Sequence, residues 1–120
     1  MHFVIGGAWQ GKLDYAKKAF DLKEEDIFRC TAEAEPDFSR PCLTHYEQYV
    51  LYCIRKGTQD YYNIPENCKV IIADDIFCGV VPIDEEIRLW REESGRALTA
   101  AAEKAETVTR VFCGLPKRLK

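Results

Sequence analysis

Residues Gly6-Gly7-Ala8-Trp9-Gln10-Gly11-Lys12 fit the pattern G-x-x-x-x-G-K. Such a run can surround an anion. Small residues let backbone amides turn inward around phosphate oxygens, a following helix adds the partial positive charge of its N-terminus, and the lysine neutralises the β- and γ-phosphates of a nucleotide. The next position in this pattern usually carries Ser or Thr, whose hydroxyl binds Mg²⁺. Here it is Leu13, which offers no ligand atom. Mg²⁺ would then have to be held by carboxylates and water. The same glycines would equally serve a plain tight turn between a strand and a helix.

A second group that can do chemistry is Asp74-Asp75, which follows the apolar run Val70-Ile71-Ile72-Ala73. Acids at the end of a buried strand are where a phosphoryl-transfer site organises Mg²⁺ or water. They are also common starters of loops. Arg91 and Arg96 could reach a phosphate or could be solvated charges, whose exposed pairs contribute only about 0–1 kcal/mol. Trp9, at the crown of the glycine loop, could stack on a base or cover the edge of the core. Tyr61 and Tyr62 could line a pocket or a subunit contact, whereas Tyr46 reads as core. The histidines are His2 and His45. His45 falls in a helix cap and reads as a solvent-facing or structural residue.

These residues need elements to hold them. His2 to Ile5 is a short apolar strand entering the glycine turn, and a helix follows from about Gly11 to Phe20 with Leu13, Ala16, Ala19 and Phe20 on one face. Ile27 to Cys30 is a second strand, and Thr31 to Pro41 a long polar loop. Thr44 can cap the next helix, with Glu47 reaching back to its amide. That helix buries Tyr46, Val50, Cys53 and Ile54 and stops at Gly57. Another polar stretch, Thr58 to Asn67, leads to Val70–Ala73, a strand covered on both faces. Pro82 suits the start of a long helix, with Asp84, Glu85 and Glu86 in its first turn. Its apolar face carries Ile87, Trp90, Ser94, Leu98, Ala101, Ala102 and Ala105. A last strand from about Val108 to Cys113 ends at Gly114-Leu115-Pro116 and a basic tail, Lys117 to Lys120.

Alternating strands and helices predict an α/β fold, a three-layer α/β/α sandwich with a small, mainly parallel sheet of four strands. The 120 residues suit one domain. A formal net charge of −3 provides no field for gripping nucleic acid or an anionic membrane. No run approaches the roughly 18 apolar residues of a membrane span. Six cysteines are present, without a CxxC pair or a Cys/His cluster, which argues against a zinc site. Cys53, Cys78 and Cys113 fall in apolar contexts, where a thiol acts as a small hydrophobe. The opening MHFVIGGAWQGK lacks the charged region and apolar length of an export signal. The expectation is a reduced, cytoplasmic chain.

Three motifs in order resemble one family, the adenosylcobinamide kinase/adenosylcobinamide-phosphate guanylyltransferases. Gly6-Gly7-Ala8 followed by Gly11-Lys12 is similar to its G-G-x-R-S-G-K-S. Asp74-Asp75-Ile76-Phe77-Cys78-Gly79-Val80-Val81-Pro82 is similar to N-E-x-G-x-G-x-V-P, and Arg91-Glu92-Glu93-Ser94-Gly95-Arg96 to R-D-x-x-G-R. The resemblance covers residues 1 to about 30 and about 68 to 120. It implies a P-loop NTPase-like fold and GTP or ATP as cofactor. Gly6, Gly7, Ala8, Trp9, Gln10, Gly11, Lys12 and Leu13 would stand at the phosphates with Arg91 and Arg96, and Lys12, Asp74 and Asp75 at the reacting groups. A corrinoid would be the second substrate. The chain departs from the pattern at Leu13, at Trp9 and Gln10, and in a shortened middle. Arg40-Pro41 echoes the R-P pair that follows the family's guanylylated histidine, but no histidine precedes it. Guanylyl transfer is therefore expected to be absent. Two readings follow: a nucleotide-dependent kinase, or a catalytically inactive homologue serving as a binding, regulatory or structural subunit. A homo-oligomer is compatible with either.

Overall fold

A computed structural model describes residues 1–76 and 84–120. The expected helix start at Pro82 and the motif residues 77–83 lie outside the described residues. The elements are β1 (His2–Gly6), α1 (Lys12–Ala19), β2 (Ile27–Arg29), β3 (Cys42–Thr44), α2 (Tyr46–Lys56), β4 (Val70–Asp74), α3 (Glu85–Lys104), β5 (Thr107–Phe112) and β6 (Leu115–Arg118). They build an α/β fold around one six-stranded sheet of order β2-β3-β4-β1-β5-β6. Every pairing is parallel except that of β5 with β6.

The side-chain alternation of the strands explains why both faces are covered. Val4, Cys42, Val70, Ile72 and Val111 pack with Ala16 of α1. Phe3, Leu43, Ile71, Ala73 and Val108 point the other way and pack with Tyr46, Val50 and Cys53 of α2 and Ala97 and Leu98 of α3. Each fully buried aliphatic side chain stabilises the fold by about 1.5–3 kcal/mol. Among the described residues, no helix is long and apolar enough to cross a membrane.

The sheet has six strands where the sequence predicts four. β3 takes the residues read as a helix cap. Thr44 ends that strand and does not cap α2. His45 is the N-cap, in a left-handed conformation (φ 57°), and α2 has no side-chain cap. The chain Leu115–Arg118, read as part of a basic tail, folds back on β5 as an antiparallel edge strand after a turn through Cys113 (φ 51°) and Gly114 (φ 75°). An edge position tolerates Pro116 and the basic residues there.

Helix surfaces also differ from the expected stripes. Ala19 is exposed on α1. Ile87 is exposed on α3, while Ser94, Leu98 and Ala101 are buried as the period predicts. α2 ends at Gly57 (φ 77°), whose amide bonds back to Cys53 and Ile54. Cys113 is exposed, contrary to its apolar setting in the sequence, whereas Cys30, Cys42, Cys53 and Cys68 are buried, unpaired thiols. Burial pushes Cys30 and Cys42 up to about 12 and Cys68 up to about 11, so these thiols stay protonated and inert.

Tyr61 is core, at 2% exposure. The Tyr46 hydroxyl donates to Tyr61 O at 2.8 Å, and the Tyr61 hydroxyl donates to Glu93 Oε2 at 2.7 Å, which joins α2, the turn at Asp60–Tyr62 and α3. Removing one buried donor to a charged acceptor costs about 1.5–3 kcal/mol. Tyr61→Phe is therefore expected to lower the stability measured by urea unfolding by that amount. An unchanged midpoint would mean that Arg96, 2.9 Å from Glu93 Oε1, already satisfies the carboxylate.

Candidate functional site

β1 ends at Gly6, beside Asp74 of β4. A Cβ at Gly6 would lie 2.4 Å from Val111 O, so only glycine lets the chain leave the sheet here. The following turn places Trp9 (φ 62°) and Gly11 (φ 89°) in the left-handed region. Gly11 is the N-cap of α1 and supplies no side-chain cap. The first helical hydrogen bond of that turn runs from Tyr15 N–H to Gly11 O at 3.0 Å. Among the described residues, the amides of 7–14 find no hydrogen-bond acceptor. Successive free amides in a turn with left-handed residues, at a helix N-terminus, form a concave nest for an anion.

The turn is anchored from behind. Gln10 Oε1 accepts from Cys113 N–H at 2.6 Å and Gln10 O from Gly114 N–H at 2.8 Å. Gln10 therefore ties the nest to the β5–β6 turn. Trp9 does not cover the core edge; its side chain is fully exposed at the rim.

Lys12 is buried, at 7% exposure. Its Nζ donates to Gly7 O at 2.6 Å and sits 2.6 Å from Asp74 Oδ1. The lysine thus bridges the nest and the end of β4. Asp75 N–H donates to Gly6 O at 2.8 Å, which holds the two strand ends together.

Across the cleft, Glu47 does not reach back to Thr44. Its Oε2 accepts from Asp74 N–H at 3.0 Å, and Trp90 Nε1 donates to Glu47 O at 2.7 Å, which docks α3 onto the start of α2. Glu47 is 1% exposed, and burial lifts its carboxyl to about 7, the nearby Asp74 charge adding to the rise. His45 Nδ1 lies 3.2 Å from Thr44 Oγ1. Burial holds this imidazole below its ordinary range, with the Arg29 charge contributing, so it is neutral at pH 7.

Together these residues line a cleft of about 600 Å³ at the C-terminal edge of the parallel strands. The chain leaves β1 for a helix on one face of the sheet and leaves β4 for a helix on the other. β1 and β4 are neighbours, and a crevice between strands that diverge in this way is where open α/β sheets bind ligands.

Of the residues singled out from the sequence, Ala8, Trp9, Gly11, Lys12, Leu13 and Asp74 line this cleft. Leu13 packs toward the apolar cluster under α1. Arg91 and Arg96 line a shallow groove on α3 instead, and Arg96 is paired with Glu92 at 2.6 Å and Glu93 at 2.9 Å. Arg40 donates to Ile27 O at 2.9 Å and so fixes the loop before β3. Sequence reasoning missed Glu47, His45 and Arg29 as cleft residues. The available signal was Thr44-His45-Tyr46-Glu47 itself, in which a strand end followed directly by a helix puts polar side chains at the ligand edge. No protein-family model and no curated protein matches the chain.

Proposed function

We propose that this chain binds the phosphates of GTP or ATP in the cleft, as a small P-loop NTPase-like protein resembling the adenosylcobinamide kinase/guanylyltransferases. The observation that carries the reading is the row of amides at residues 7–14 that have no acceptor among the described residues, beside the buried ammonium of Lys12. The ammonium is held at Gly7 O and Asp74 Oδ1, both at 2.6 Å, so a phosphate entering the turn meets a cation already in place. Gly6, Gly7 and Gly11 shape the nest, Lys12 meets the terminal phosphates, and Trp9 stands exposed at the rim where a ring can stack. Asp74 holds Lys12 in the absence of phosphate.

Guanylyl transfer is absent in this reading, because no histidine stands immediately before Arg40-Pro41, where the family carries its guanylylated residue. A binding role without phosphoryl transfer is favoured by Leu13, which cannot supply the hydroxyl that usually holds Mg²⁺. Kinase action on a corrinoid hydroxyl would need that ion held by other groups.

Calorimetric titration of GTP and ATP, with and without Mg²⁺, separates these readings. Saturable binding at micromolar to low-millimolar nucleotide is expected. Metal-independent affinity favours a binding module, and affinity that requires Mg²⁺ keeps the kinase reading in play. Absence of binding at several millimolar nucleotide sinks the proposal.

A further inference from the structure

We infer that His45, Glu47 and Asp74 form a binding site for a first-row divalent transition cation, one that operates without nucleotide. Each offers a ligand atom, and these atoms all lie within 4.8 Å of one another. They come from two elements distant in sequence, the β3–α2 junction and the end of β4. Bonds of about 2.1 Å place three donors around one ion roughly 3.0–3.6 Å apart, so closure draws the ligand atoms together by on the order of 1 Å.

Supporting contacts already fix the ligands. Metal-bound histidines commonly have their other ring nitrogen hydrogen-bonded. His45 Nδ1 lies 3.2 Å from Thr44 Oγ1, a contact that helps hold the ring beside the two carboxylates. The Glu47 carboxylate is oriented by Asp74 N–H at 3.0 Å. His45 occupies a left-handed backbone that costs a non-glycine residue conformational energy. Strain of this kind concentrates where a side chain has a task.

The donor set decides the class of ion. Mg²⁺ prefers oxygen ligands in a near-ideal octahedron and keeps its waters. One imidazole nitrogen with two carboxylate oxygens suits Mn²⁺, Fe²⁺ or Zn²⁺ better. Three protein ligands also leave coordination positions open to water. The Lys12 ammonium, 2.6 Å from Asp74 Oδ1, competes with the ion for that carboxylate.

Mn²⁺ is the probe of choice, because the buried thiols attract it less than they attract Zn²⁺. Titration of the full chain with Mn²⁺ alone, read by electron paramagnetic resonance, is expected to show one bound ion per chain that equimolar Mg²⁺ does not displace. His45→Gly suits the left-handed backbone and should leave the circular dichroism spectrum intact while weakening Mn²⁺ at least about tenfold. Asp74→Asn should weaken it similarly, and Lys12→Met should strengthen it several-fold, by about 3 or more, through removal of the competing charge. Unchanged affinity in folded His45→Gly, or no saturable Mn²⁺ in both wild type and Lys12→Met, overturns the inference. Nucleotide is absent from every arm, so such a failure leaves the phosphate reading standing.

Discussion

Lys12→Ala is expected to weaken GTP and ATP binding by about 2–4 kcal/mol, on the order of 30- to 1,000-fold. The side chain is 7% exposed and held by Gly7 O and Asp74 Oδ1, both at 2.6 Å. A phosphate entering the nest offers that ammonium a stronger, charged acceptor than the carbonyl. The alanine variant keeps the free amides but loses the one cation among the nest residues 6–12. Stability should fall much less. Asp74 is 22% exposed, so water can replace the lost ammonium, at a cost of about 1 kcal/mol. Calorimetry for affinity and a thermal melt for stability distinguish the two effects. Retained affinity in a folded Lys12→Ala protein would reduce the glycine turn to a structural corner.

Gly6→Ala is expected to do the reverse, breaking the fold before any question of ligand arises. The added methyl would stand 2.4 Å from Val111 O, a backbone atom of the neighbouring strand β5 that no rotamer change can move aside. Relief requires β1 and β5 to separate at the centre of the sheet, where their pairing registers Ile5 with Arg110. Overpacking of this severity costs about 3 kcal/mol or more. For a domain of this size that lowers the melting temperature by roughly 10 °C or more. Gly7→Ala is the matched control. Its methyl would meet only Gln10 Cγ, at 3.6 Å, an ordinary contact. The prediction fails if the two variants melt together.

Much of this follows from local chemistry in the chain. The apolar runs around Phe3 and Ile71 can only be strands covered on both faces, and Gly57 stops a helix because a left-handed residue closes its last turn. The glycine turn with Lys12, and Asp74 at a strand end, were legible for the same reason: short-range pattern dictates short-range geometry. β3 was not legible. Cys42-Leu43-Thr44 is too short to show alternation, and it is a strand only because β2 and β4 flank it with unpaired backbone. β6 likewise exists through its pairing with β5, against the signals of Pro116 and Lys117. Tyr61 is buried because α3 brings Glu93 to its hydroxyl, 32 residues away in the chain.

The α/β class, the glycine turn and its lysine can therefore be read along the chain, since each is set by residues within a few positions of one another. What faces that lysine depends on contacts between residues distant in the chain. Glu47 and Asp74 are 27 residues apart, and no periodicity relates them. They meet because parallel pairing aligns the C-terminal ends of β1, β3 and β4 at one edge of the sheet. That alignment turned a sequence-level helix cap into the wall of a cleft, and it sent Arg91 and Arg96 to the far side of a helix whose inner face the core had already claimed.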